Sequence, residues 1–176
     1  MKRFPLSILF IAFIISSCTS KNEKKAAENV EKTALQAFTD TVQLDTFKIS
    51  LKGTESKNMS LLFTITSYKG VQVYKKEIKA EELLKSYLAS ADLKKEEEKI
   101  KFLNDEVNFF FEEEHFLIPA ITDQEKPDNN TPDKVFYEEL KASKLNGFDY
   151  RLGKDIKIYI AWSAKEQKVK IYYKCC

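Results

Sequence analysis

Two stretches late in the chain alternate apolar and other residues with a period of two. Ile156, Ile158 and Ile160 are interleaved with Lys157 and Tyr159, and Val169, Ile171 and Tyr173 with Lys170 and Tyr172. That period belongs to a strand with one buried face, so these two runs constrain the fold more than any other feature. Ser163 to Lys168 supply a connecting turn, and together they predict a β-hairpin.

Other segments add to it. Leu44, Phe47, Ile49 and Leu51, following Val42 and ending before Gly53, read as a first strand. Leu61, Phe63 and Ile65, then Tyr68-Lys69-Gly70, then Val71, Val73 and Tyr74 read as a second hairpin turning at the glycine. From Glu81 to Ala91 the period lengthens, with Leu83, Leu84, Tyr87, Leu88 and Ala91 at helical offsets, which predicts a short amphipathic helix. A second helix is predicted after Thr131, an N-cap residue with Pro132 at the first helical position. Phe136 and Leu140 lie four apart on it, and Asn146-Gly147 is its stop signal.

Lys94 to Ile121 fits two readings, because Ile100, Leu103, Val107, Phe110 and Phe111 suit one helical face about as well as two strands. The Phe109–Phe111 run, the turn-forming Asn104-Asp105 and the Phe116-Leu117-Ile118 run before Pro119 favour strands. The sum is an α+β domain, a twisted antiparallel sheet with about two helices packed on one face.

A chain of 176 residues has room for one such domain, and its 43% hydrophobic and 12% aromatic content suffices for a packed core. The domain is assigned to residues 41–176. Thr19 to Asp40 are mostly Ser, Lys, Asn, Glu and Ala with isolated Val30, Leu35 and Phe38, so residues 18–40 read as a flexible tether. Its Ala, Glu and Lys content also suits a frayed helix from Glu23 to Ala37.

The first 17 residues have signal-peptide architecture. Lys2 and Arg3 precede an apolar run of about ten residues from Leu6 to Ile15, too short to span a bilayer, which needs about 20. Ile15-Ser16-Ser17-Cys18 follows: an aliphatic residue, two small residues and a cysteine. This pattern resembles the lipobox of bacterial lipoproteins. The resemblance implies cleavage before Cys18, acylation of its thiol and attachment to a membrane of the cell envelope through lipid. Thr19 rather than Asp after the cysteine resembles lipoproteins sent on to the outer membrane, and the Lys-rich, aromatic-rich style resembles uncharacterised lipoproteins of the Bacteroidetes. Lys2 and Arg3 account for the whole formal excess of two positive charges, so the chain beyond them is neutral. Neutrality gives no electrostatic reason to expect nucleic acid as a partner.

Candidate chemistry is sparse. His115, the single histidine, follows Glu112, Glu113 and Glu114, but consecutive residues of a strand point to opposite faces and no second histidine lies four away. It reads as part of a solvated charged turn, and no catalytic, metal-binding or cofactor-binding residue is assigned. Gly53, Gly70, Gly147 and Gly153 are too scattered for a phosphate loop and read as turn residues. The adjacent Cys175 and Cys176 read as incidental thiols or as partners for an intermolecular bridge. Tyr159, Trp162, Tyr172 and Tyr173 cluster in the final hairpin. Because Tyr159 should point away from Ile158 and Ile160, some of these rings should be exposed, and all four are candidates for contacting a partner. The functional expectation is a lipid-anchored, non-catalytic module that binds or accompanies an unknown envelope macromolecule. Rival readings are a two-carboxylate hydrolase of envelope polymers and an inhibitor or immunity protein against a secreted toxin.

Overall fold

The computed structural model describes residues 30–87 and 93–175. The signal peptide, Cys18 and most of the expected tether lie outside these residues, as do the end of the first predicted helix and Cys176. The described part is α+β, with two four-stranded antiparallel sheets and three helices.

The first sheet comprises β1 (Glu31–Ala37), β2 (Leu44–Lys52), β3 (Ser60–Thr66) and β4 (Gln72–Lys79), paired in sequence order. Register pairs Phe47 with Ile65, Ile49 with Phe63 and Leu51 with Leu61. Strand alternation therefore gathers these six apolar side chains on one face, where all are buried. The other face carries Thr46, Lys48, Thr64, Lys75 and Glu77, all exposed or only half-buried. Residues 31–37, expected in the tether, are strand. Their alternation is weak because β1 is an edge strand held by backbone pairing to β2, while the next residue, Phe38, drives its ring edge-on against Phe47 at 5.3 Å.

Three helices follow: α1 (Ala80–Tyr87), α2 (Glu96–Phe109) and α3 (Lys134–Ser143). The strands expected between Lys94 and Ile121 are largely replaced by α2. Helix wins there because Leu103 and Val107, four apart, bury one stripe. In addition, the Glu98 side chain accepts from the Lys95 N–H at 2.8 Å, and Glu96, Glu97 and Glu98 complement the positive end of the helix dipole. The phenylalanine run terminates the helix: Phe109 stays exposed while Phe110 and Phe111 turn into the core. Helix α3 starts two residues later than predicted, with Asp133 as N-cap accepting from the Phe136 N–H. It ends at Lys144 in the left-handed conformation, not at Asn146-Gly147.

The second sheet comprises β5 (Phe116–Leu117), β6 (Gly147–Arg151), β7 (Lys157–Ser163) and β8 (Lys168–Cys175), again in sequence order. The predicted final hairpin is β7–β8. Gly147, expected in a turn, opens β6. Phe148 and Tyr150 share a face with Ile160 and Ile158, and this face meets the apolar face of the first sheet. Phe148 lies 5.3 Å from both Phe47 and Phe63, and the Tyr150 and Tyr74 hydroxyls are hydrogen-bonded at 2.6 Å across the join. Helix α3 packs on the opposite face of the second sheet. There Glu139 accepts from Ser163 at 3.0 Å and the Lys170 ammonium lies 4.9 Å above the Phe136 ring. The expected single sheet with helices on one face is thus two sheets sharing an aromatic core, with α3 behind the second.

Asp45, fully buried at the start of β2, accepts from the Thr39 N–H at 2.6 Å, the Thr39 hydroxyl at 2.9 Å and the Tyr68 N–H at 2.8 Å. One carboxylate thereby joins the β1–β2 turn to the β3–β4 turn. Asp45→Ala leaves these donors without their acceptor and is expected to destabilise the domain by about 2–4 kcal/mol in urea titration. A loss under about 0.5 kcal/mol, as for an ordinary surface change, would refute that role.

Candidate functional site

The register of β7 with β8 shifts at one point: Tyr159 pairs with Tyr173, but Ile160 pairs with Ile171. Tyr172 is therefore an extra residue, a β-bulge, and it places two consecutive tyrosines on the side of Tyr159. Tyr159 meets Tyr172 at 6.0 Å and 72°, and Tyr173 at 5.4 Å and 87°. Ile171, which simple alternation would bury, is left 41% exposed.

These rings line a pocket of about 340 Å³ closed by Tyr137 of α3, by Leu117 at the end of β5 and by the loop that follows, through Ala120, Ile121, Glu125, Lys126 and Asp128. The loop is held against the sheet by the Ala120 N–H donating to Leu145 at 2.9 Å and by the Tyr172 hydroxyl donating to the Ala120 carbonyl at 3.2 Å. Gly147 makes this approach feasible: a Cβ there would fall 2.9 Å from both the Ala120 Cβ and the Tyr172 hydroxyl. At the rim, Asp128 accepts from the Tyr173 hydroxyl at 2.9 Å, and Glu125 accepts from the N–H and hydroxyl of Thr122 at 2.6 and 2.7 Å. Burial pushes the Tyr137 and Tyr172 phenols above their ordinary range. Nearby carboxylates push them further, Glu125 first at Tyr137 and Asp149 first at Tyr172.

Three of the four aromatics singled out from sequence, Tyr159, Tyr172 and Tyr173, thus converge on one pocket. Trp162 does not join them. It lies on the face of β7 shared with Ile158 and Ile160, is 9% exposed, and borders a different cavity of about 440 Å³ near Tyr68 and Lys69. Tyr137, outside the hairpin, was missed; it sits one position after Phe136 on a helix whose register sequence alone did not fix.

His115 is not a freely solvated residue. Glu112–Glu114 are exposed, but the imidazole is only 19% exposed and its Nδ1 lies 2.8 Å from a carboxylate oxygen of Asp149. Asp149, buried on β6, also holds the Lys157 ammonium at 3.0 Å, which in turn lies 5.2 Å over the Tyr159 ring. Sequence hid this cluster because 34 residues separate His115 from Asp149. Among the described residues no group of three or more His, Cys, Asp and Glu side chains is arranged to hold a metal, and no helix is long and apolar enough to cross a membrane. Cys175 is half-buried at the end of β8.

No protein-family model, curated protein or solved structure matches the chain.

Beside this cluster, burial raises the Glu106 carboxyl on α2 above the ordinary glutamate range, and Arg151 and His115 offset part of the effect. A carboxyl raised in the folded state costs no stability while both states are protonated. It costs progressively more as pH climbs past the unfolded value and through the folded one. Glu106→Gln is therefore expected to melt with the parent at about pH 3.5 and above it at about pH 8, by differential scanning calorimetry. An equal gap at both pH values would refute the burial effect.

Proposed function

We propose that the protein is a lipid-anchored lipoprotein of the cell envelope whose domain is a non-catalytic binding module, with the tyrosine pocket as its site. The observation that carries the reading is the convergence of Tyr137, Tyr159, Tyr172 and Tyr173 on one pocket bordered by Glu125, Lys126 and Asp128. Amphipathic rings with a few polar groups at the rim are what small-ligand sites are made of.

The anchor rests on Ile15-Ser16-Ser17-Cys18. As free coil, the dozen residues between Cys18 and β1 would reach roughly 20 Å, a shorter tether than the one ending at Asp40. Binding is favoured over hydrolysis by where the acids lie. A carboxylate-based hydrolase needs one carboxylic acid kept protonated beside its substrate. The raised carboxyl of Glu106 does not line the pocket, and the two carboxylates that do, Glu125 and Asp128, are exposed.

Cys18→Ala is expected to abolish incorporation of labelled fatty acid; a variant still labelled would refute the lipid anchor. For the site, purified protein titrated with a small-molecule extract of the envelope should show ring-proton shifts for Tyr159, Tyr172 and Tyr173. Tyr159→Ala or Tyr173→Ala should weaken capture by about 1–3 kcal/mol if these rings are hot spots. Glycan cleavage abolished by Glu125→Gln or Asp128→Asn would replace binding with hydrolysis.

A further inference from the structure

We infer that the tyrosine pocket takes a small organic cation, an alkylated or quaternary ammonium on a short apolar body. This rests on the pocket being the binding site, and adds the chemistry of what enters it.

Ring geometry is the first ground. Tyr173 and Tyr172 cross Tyr159 at 87° and 72°, so the three cannot form the flat platform on which a sugar ring stacks. Rings at right angles enclose a point, the arrangement that suits a compact cation attracted to aromatic faces. The protein itself places a cation on this ring system, since Lys157 sits 5.2 Å over Tyr159 while paired with Asp149.

Hydrogen-bonding character is the second ground. The Tyr172 hydroxyl donates to the Ala120 carbonyl and the Tyr173 hydroxyl to Asp128, so the hydrogens of both phenols are already used. Those two phenols therefore offer only lone pairs, and the rim adds the carboxylates of Glu125 and Asp128 as further acceptors. An anionic ligand would find a single ammonium in the lining, Lys126, and two carboxylates opposing it.

The field is the third. After burial, the influences that raise Tyr137 begin with the carboxylates of Glu125, Glu138 and Asp128, and Glu125 is also among those that raise Tyr172, after Asp149 and Tyr159. The carboxylates at the pocket rim thus disfavour a negative charge on these rings and favour an entering positive one. A volume of about 340 Å³ suits a small molecule rather than a polymer segment.

The test is a calorimetric and NMR titration of the purified protein with choline. Its neutral isostere, in which a quaternary carbon replaces the nitrogen, serves as the control. Choline should bind with shifts at Tyr159, Tyr172 and Tyr173, and the isostere about tenfold more weakly, the share a desolvated cation–aromatic attraction supplies. Tyr173→Ala should weaken choline by about tenfold, and Lys126→Gln, a change at an exposed rim position that cannot unfold the core, should strengthen it about threefold. Equal binding of choline and isostere, or no binding of choline up to millimolar concentration, overturns the ligand class. If the envelope extract still shifts the same rings in that case, the pocket survives as the binding site; if nothing shifts them, both readings fall.

Discussion

The packing of Phe47, Phe63 and Phe148 is the interaction on which the other parts depend. Phe63 lies within 5.1–6.2 Å of Phe47, Tyr74, Phe110, Phe111, Phe148 and Tyr150, which come from both sheets and from the end of α2. Most of these pairs are tilted or edge-on, the geometry in which the positive edge of one ring meets the negative face of another. Each such pair contributes about 0.5–1.5 kcal/mol beyond the area it buries. Because this cluster fixes how the sheets face each other, it leaves the opposite face of the second sheet free to be organised by α3 and the β5–α3 loop. The tyrosine pocket lies on that opposite face.

Much of this was legible in the sequence, for reasons that differ by element. The β3–β4 and β7–β8 hairpins were readable because their strands bury one face, so side-chain pattern and backbone pairing agree. Strand β1 was hidden because its polar, Ala-containing residues favour helix or coil and its stability comes from backbone bonds to β2, which no local pattern records. Helix α2 was misread because three phenylalanines in a row look like strand, whereas they mark the point where a helix stops and its last rings turn inward.

At the candidate site the split is similar. Alternation correctly sends Tyr159 away from Ile158 and Ile160, yet alternation alone would have put Tyr173 with Val169 and Ile171. The bulge at Tyr172 reverses that assignment, and a bulge is set by the pairing partner rather than by the strand itself. Trp162 failed as a surface residue because alternation puts it on the face of Ile158 and Ile160, which packs against the first sheet. In the Asp149–His115–Lys157 cluster the buried carboxylate is paired with the Lys157 ammonium and hydrogen-bonded to the His115 imidazole, as a carboxylate removed from water requires. The cluster lies beside Tyr159, the residue with which Asp149 is paired across β6 and β7.

The depth of the tyrosine pocket is set in part by an atom that is missing. At position 147 the second sheet carries only hydrogen, and Ala120 and Tyr172 close over that gap at 2.9 Å from where a methyl group would be. Any larger residue would lift the loop that carries Glu125, Lys126 and Asp128, or displace the Tyr172 hydroxyl from the Ala120 carbonyl. Position 147 therefore works as a marker that can be read from sequence alone. In any chain that keeps this fold, glycine there is compatible with a closed tyrosine floor, while a bulkier residue signals that the loop has moved and the pocket has changed shape.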